Sequence, residues 1–309
     1  MRKHWATRTI VAIGAAAWML SGARASEISS GKWAMHRSDQ PGMVQFSLQG
    51  SGGPHAFSNN TAWPTSAFSG LDLTQDTQFT LTRDAGKFEF EGTLRNSSGA
   101  GTFQFSPDPR YPQEMKALGF GGVEGKQIHF AMHDVSLSFA RDMKNANLQN
   151  LETDKLLAFR IHGVSRKFID ELQAAGHSER DSNQLIAFRI HGVTPDMVQR
   201  VRAAGYTPDS KMLIAMRIHS VTPEYMDDLK RRGYEAVPLD QLLAFRIHGV
   251  TPDFIGEMQK LGFEHPQPQQ LVNLRIHGVT PEYVSQLQLR GVKNLTVDKL
   301  VAMKIHGLD

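Results

Sequence analysis

The sequence predicts an α+β chain: a small antiparallel β domain over residues 26–105, then an α-solenoid of two-helix repeats over residues 106–309. Three observations carry that expectation. The tripeptide Arg-Ile-His recurs five times at a nearly fixed interval. A Thr-Pro-acid helix start follows four of the copies at the same offset. Upstream, apolar and polar residues alternate with period two between Gly- and Asn-containing turns, the pattern of strands with one covered face.

The first 25 residues stand apart. Arg2, Lys3 and Arg8 precede an apolar stretch from Ile10 to Leu20, and Ala23 and Ala25 fit the small-x-small pattern of a cleavage site. This is the layout of a secretory signal peptide, cleaved after Ala25. The stretch is too short for a bilayer span, which takes about 20 residues. The whole chain carries 34 basic and 31 acidic residues. Removing residues 1–25 takes away four basic residues and no acid, leaving 30 against 31 and a net charge of −1. The basic balance therefore belongs to the targeting segment, and no phosphate-binding footprint for nucleic acid remains. With no cysteine, the chain has no disulfides, no thiolate metal site and no cysteine nucleophile. The expected location is a bacterial periplasm or the medium, with no membrane span after cleavage.

Within residues 26–105, strands are expected around Trp33–His36, Val44–Leu48, Phe79–Leu81, Phe88–Glu91 and Phe103–Phe105. Asp84-Ala85-Gly86 and Asn96-Ser97-Ser98-Gly99 read as hairpin connections. The polar, Gly/Ser/Asn-rich stretch from Gly50 to Gln75 reads as a long loop. His55 and Trp63 in that loop are candidates to line a small-ligand site; the competing reading has Trp63 and Phe68 pin the loop onto the sheet. Ser106-Pro107-Asp108-Pro109 joins the last strand to the first repeat helix, so the sheet is expected to cap the array.

The repeat is defined by Arg160-Ile161-His162, Arg189-Ile190-His191, Arg217-Ile218-His219, Arg246-Ile247-His248 and Arg275-Ile276-His277, with Lys304-Ile305-His306 as a sixth copy. The His-to-His spacings are 29, 28, 29, 29 and 29 residues. His133-Asp134-Val135-Ser136 aligns one period earlier, and Tyr111 to Phe120 matches Phe254 to Phe263, giving about seven units. In the unit around residue 250, Thr251 is an N-cap, Pro252 opens the helix and Asp253 complements its positive end. Phe254, Ile255, Met258 and Leu261 are its apolar positions, and Gly262 can close it in a left-handed cap. The second helix spans Leu239 to His248, with Leu242, Leu243, Phe245 and Ile247 apolar and Gly249 as its stop. Helices this short are stable only when stacked.

The Arg and His of each unit are the candidate functional residues. A shared metal is not expected: units stack about 8–10 Å apart, whereas two ligands of one zinc ion each lie about 2 Å from it. No cofactor is expected either. In one reading Arg and His sit in the last helical turn and donate to its free carbonyls, with Asp196, Glu224, Asp253 or Glu282 as ion-pair partners of the arginine. In the other they form an exposed binding stripe, since arginine forks suit carboxylate or phosphate.

The unit Leu242-Leu-Ala-Phe-Arg-Ile-His-Gly-Val-Thr-Pro-Asp-Phe254 resembles repeats that follow the membrane metallopeptidase domain of antibiotic-sensor proteins regulating beta-lactamase. The Gly-Thr-Phe-Gln-Phe strand at residues 101–105 is similar to the same context. The resemblance implies a periplasmic interaction or sensing module and carries over no catalytic residue, because the peptidase's His-Glu-x-x-His is absent. Nucleophile-elbow, phosphate-loop and dinucleotide motifs are also missing. The expected function is a non-enzymatic scaffold for a protein or peptide partner in the cell envelope. A small-ligand sensor acting through the β domain and an envelope hydrolase are the alternatives. The signal reading predicts that N-terminal sequencing of exported protein begins at Ser26; a product still starting at Met1 contradicts it.

Overall fold

A computed structural model describes residues 29–51, 57–75, 77–96 and 98–307. Residues 1–28, which hold the expected export signal, and His55 lie outside the described residues.

Seven strands form one antiparallel sheet: β1 (Ser29–Arg37), β2 (Met43–Ser51), β3 (Phe57–Pro64), β4 (Phe68–Ser69), β5 (Thr77–Arg83), β6 (Gly86–Arg95) and β7 (Ser98–Pro107). Their order across the sheet is β3-β2-β1-β7-β6-β5-β4. The two outermost strands, β3 and β4, are consecutive in the chain and joined only by a single turn of 3-10 helix, Thr65–Ala67. So short a connection between opposite edges requires the sheet to curl back on itself.

The inside of that curl is filled by rings. Phe46 lies 5.5 Å from Trp33, 5.2 Å from Trp63 and 5.4 Å from Phe68, while Phe79 and Phe90 stack at 4.8 Å. Each ring comes from the inward register of its strand, which is why Phe and Trp alternate with polar residues. Glycine makes room for the largest ring. Trp33 pairs in register with Gly101, which pairs with Gly92, and a Cβ on Gly92 would sit 2.6 Å from the indole and 2.4 Å from the Ala100 carbonyl. The indole Nε1 crosses that gap to donate to the Glu91 carbonyl at 3.2 Å.

The stretch expected to be a long loop is therefore largely strand. β3 pairs with β2 along its length, from Phe57 opposite Gly50 to Pro64 opposite Met43. Asn60 accepts from Gln45 at 2.6 Å and residues 58–61 are all polar, so its composition resembles a loop although its backbone is in the ladder. Trp63 and Phe68 are buried in the ring cluster.

Among the described residues fourteen α-helices follow, alternating between two roles. The odd-numbered set is α1 (Tyr111–Ala117), α3 (Leu137–Asn145), α5 (Arg166–Ala174), α7 (Pro195–Ala203), α9 (Pro223–Arg231), α11 (Pro252–Lys260) and α13 (Pro281–Leu289). The even-numbered set is α2 (Gln127–Met132), α4 (Thr153–His162), α6 (Ser182–His191), α8 (Ser210–Ile218), α10 (Leu239–His248), α12 (Pro268–Ile276) and α14 (Val297–Ile305). Even helices pack on even helices and odd on odd, giving two layers with a core between them. Thr194, Thr222, Thr251 and Thr280 cap the odd helices: each hydroxyl accepts from the amide three residues on. Gly163, Gly192 and Gly249 end even helices in left-handed conformation, and the residue after each folds back, Val250 donating to Phe245 at 2.7 Å.

The sheet is tied to the first units by polar contacts, one of them buried. Gln127 on α2 donates from one amide nitrogen to the carbonyls of Ala85 at 3.0 Å and Asp108 at 2.8 Å. The Asp84 carboxylate caps α3 by accepting from Leu137 N at 2.8 Å, and Arg83 pairs with Asp134 at 3.3 Å.

Because the Gly92 Cβ would meet fixed backbone, Gly92→Ala should destabilise the protein by about 1–3 kcal/mol. It should also expose Trp33, seen as a red shift of tryptophan emission at lower urea; unchanged unfolding would contradict the packing described.

Candidate functional site: the Arg-Ile-His edge

The C-terminal end of an even helix meets the following unit, and at four joints an arginine hydrogen bond makes the connection. Arg160 Nε donates to the His133 carbonyl at 2.8 Å, Arg189 to His162 at 3.1 Å, Arg217 to His191 at 3.2 Å and Arg246 to His219 at 3.2 Å. Those carbonyls belong to helix C-termini, where acceptors lack intrahelical partners and the dipole is negative. The guanidinium also lies over a ring of the preceding unit: Arg160 over Phe139 at 5.2 Å, Arg189 over Phe168 at 4.9 Å, Arg246 over Tyr225 at 4.8 Å and Arg275 over Phe254 at 5.0 Å. Arg217 faces the position that Met197 occupies, so its ring partner is missing. Arg275 keeps the ring but its buried Nε has no acceptor.

Glycine serves this packing as well as the helix stop. A Cβ on Gly163 would come within 2.9 Å of Arg189 Nη2, and one on Gly192 within 3.0 Å of Arg217 Nη2. The arginine thus caps as expected, but the helix it caps is the one before its own. The acids expected to pair with it do otherwise. Glu224 pairs with Arg200 and Asp253 approaches Arg232 at 3.9 Å, both arginines of odd-numbered elements one unit back. The Arg200 guanidinium holds the Glu224 carboxyl down at about 2.

The histidines contribute their backbone. Among the described residues, the side chains of His162, His191, His219, His248 and His277 make no hydrogen bond, and all five residues are exposed. No group of three or more His, Asp or Glu side chains converges as a metal site among the described residues.

The residue between them is the feature that sequence reasoning missed. Ile161, Ile190, Ile218, Ile247, Ile276 and Ile305 are 51–57% exposed, a large aliphatic side chain in the same place on six units. In α10 Leu242 and Phe245 are buried and Leu243 and Ala244 are half-buried against the core, whereas Ile247 is exposed. Such a helix gives no sign in its sequence of which side is covered. Since the arginine of one unit bonds the His carbonyl of the unit before at four joints, Arg, Ile and His recur in the same order along one edge of the array.

Trp63 packs between Phe46 and Phe68, 5.2 and 5.8 Å away, so it pins strand β3 and presents no open platform to a ligand. Acid–base groups meet in another place. His177 Nε2 lies 2.9 Å from Ser210 Oγ, which also bonds Glu179. The carboxylate there holds the hydroxyl, not the imidazole, which is not how a base is oriented for nucleophilic catalysis. His177 occupies the repeat position of Tyr206 and Tyr234, whose hydroxyls reach the next unit's carbonyls of Val237 and Pro266 at 2.8 Å. The triplet is thus a polar version of an inter-unit strut. Burial pushes the His177 imidazole below its ordinary value.

No helix among the described residues is long and apolar enough to cross a membrane. Comparison with protein-family models, curated proteins and solved structures finds no match to this chain.

Two outcomes follow from this geometry. Arg246→Ala should cost about 1–3 kcal/mol in urea unfolding through the lost charged hydrogen bond, whereas His248→Ala should change stability by less than about 0.5 kcal/mol. Equal effects would refute the division of labour. A lowered His177 binds fewer protons folded than unfolded, so its stability contribution is present above about pH 6.5 and falls as the pH drops below that value. His177→Phe, which places here the residue found at 263, should flatten that decline; an unchanged pH–stability profile would count against it.

Proposed function

We propose that this chain is an exported, non-enzymatic interaction module that binds a protein or peptide partner along the Arg-Ile-His edge. The observation that carries the reading is the row of six isoleucines, each more than half exposed, in register on six stacked units. Scattered exposed aliphatics need no explanation, but a contiguous row marks a surface that another molecule covers. Solenoids suit such recognition because their repeats extend one surface over several layers. Export is supported by the charged, apolar and small-residue layout of residues 1–25 and by the absence of cysteine. The resemblance of the unit to the repeats of antibiotic-sensor peptidases fits a signalling role.

The test is a photo-crosslinking amino acid placed at Ile218 and, separately, at Lys260 on an exposed part of the odd-helix layer, in cells that export the protein. A discrete adduct from position 218 and none from 260 is the expected result. Equal labelling at both positions, or none at 218, would reject the edge as the interface.

A further inference from the structure

We propose that the Arg-Ile-His edge recognises an extended acidic peptide carrying a carboxylate and an aliphatic side chain every third residue. This rests on the reading of the edge as the interface and adds the chemistry of its occupant.

Charge complementarity supplies the first half. Among the described residues, no carboxylate lies within ion-pair distance of Arg189, Arg217, Arg246 or Arg275, although Arg160 pairs with Asp134 at 3.0 Å. Arg189, Arg217 and Arg246 spend only Nε, on a carbonyl; their terminal nitrogens donate to no acceptor among the described residues. Nε anchoring in all three, with a ring beneath Arg189 and Arg246, fixes each guanidinium before any ligand arrives, and the terminal pair of nitrogens matches a carboxylate. One residue along, the exposed isoleucine offers an apolar contact for one side chain.

Spacing supplies the second half. Packed helices lie about 8–10 Å apart, so the Arg and Ile positions repeat at that interval. A polyproline-type segment rises about 3.1 Å per residue with three residues per turn, so three residues match one unit and bring equivalent side chains back to the same face, whereas a β-strand would turn every third side chain to the opposite face. An anionic membrane would also meet the arginines but fits less well. Two turns back on the same helical face, seven residues before the edge isoleucine, Asp240 and Asp298 would press against a broad negative surface, although Lys211 holds that position in α8 and Asp154 is paired with Lys126 at 2.9 Å. A narrow chain along the edge avoids those carboxylates.

The probe is a fluorescein-labelled peptide of five Glu-Leu-Ser triplets, titrated with the purified protein and read by anisotropy. Five Glu-Leu-Ser-Ser quadruplets and five Lys-Leu-Ser triplets are the controls, and phosphatidylglycerol vesicles are tested by co-sedimentation. Because linked contacts multiply, the triplet peptide should bind at least about tenfold more tightly than either control, and shortening it by one triplet should weaken it again. The combined variant Ile190→Ser, Ile218→Ser and Ile247→Ser should bind about tenfold less tightly while melting at the same temperature, as expected for exposed positions. Equal binding of triplets and quadruplets, or of the lysine peptide, overturns the proposal. Vesicle binding that the isoleucine variant abolishes, without peptide binding, overturns it in favour of a membrane surface. A crosslinked adduct at position 218 with no triplet binding rejects the peptide chemistry but leaves the edge as an interface; the loss of that adduct removes both.

Discussion

A helix three turns long ends in carbonyl groups that its own backbone cannot satisfy. In this protein the solution comes from the next unit: an arginine reaches back, donates to the last carbonyl and lies on a ring of the unit it has left. Charged hydrogen bonds contribute about 1.5–3 kcal/mol and exposed cation–π contacts about 0.5–1 kcal/mol; partial solvent screening here puts the links toward the low end. The odd-helix layer uses the same device with amides, Gln259 donating to the Arg232 carbonyl at 2.9 Å and Gln288 to Leu261 at 2.9 Å. Several helix C-termini are thus finished by the next unit, which makes neighbours energetically interdependent in the way that repeat arrays require.

At the other end the array meets the sheet. The first even helix, α2, is short and lacks an arginine, and here the sheet substitutes side chains for a preceding unit. Asp84 caps α3, Gln127 satisfies two carbonyls at the junction, and Asp134 takes charge from Arg83 of the sheet and Arg160 of the array. The curled sheet holds its glycine line beside Trp33, and the same sheet supplies the contacts that close the array's N-terminal end.

Much of this was legible in advance, for identifiable reasons. Helix α10 lies at Leu239–His248 as expected, because a glycine stop and an apolar run fix its ends. Thr251 and Pro252 announce α11 by local chemistry alone. Strand β3 was hidden because residues 58–61 are Ser, Asn, Asn and Thr, types common in loops, while the pairing that defines it is a backbone matter. The direction of the arginine link was hidden because a period of 29 residues is the same whether a side chain bonds within its unit or across to the last one. The exposed row was hidden for a different reason: Leu242, Leu243, Phe245 and Ile247 surround their helix, and hydrophobicity cannot say which side has a neighbour.

The acceptor of the arginine link is a main-chain oxygen, and that choice has an evolutionary consequence. A contact between two side chains requires both partners to change together when a unit is gained or lost. A main-chain carbonyl is supplied by any residue, so a unit inserted by recombination is received without a matching substitution next door. Asp134 and Ser220 already stand in left-handed positions where other units have glycine, and the link is made beside each of them. The number of units is therefore free to drift between lineages while the joint between them stays the same.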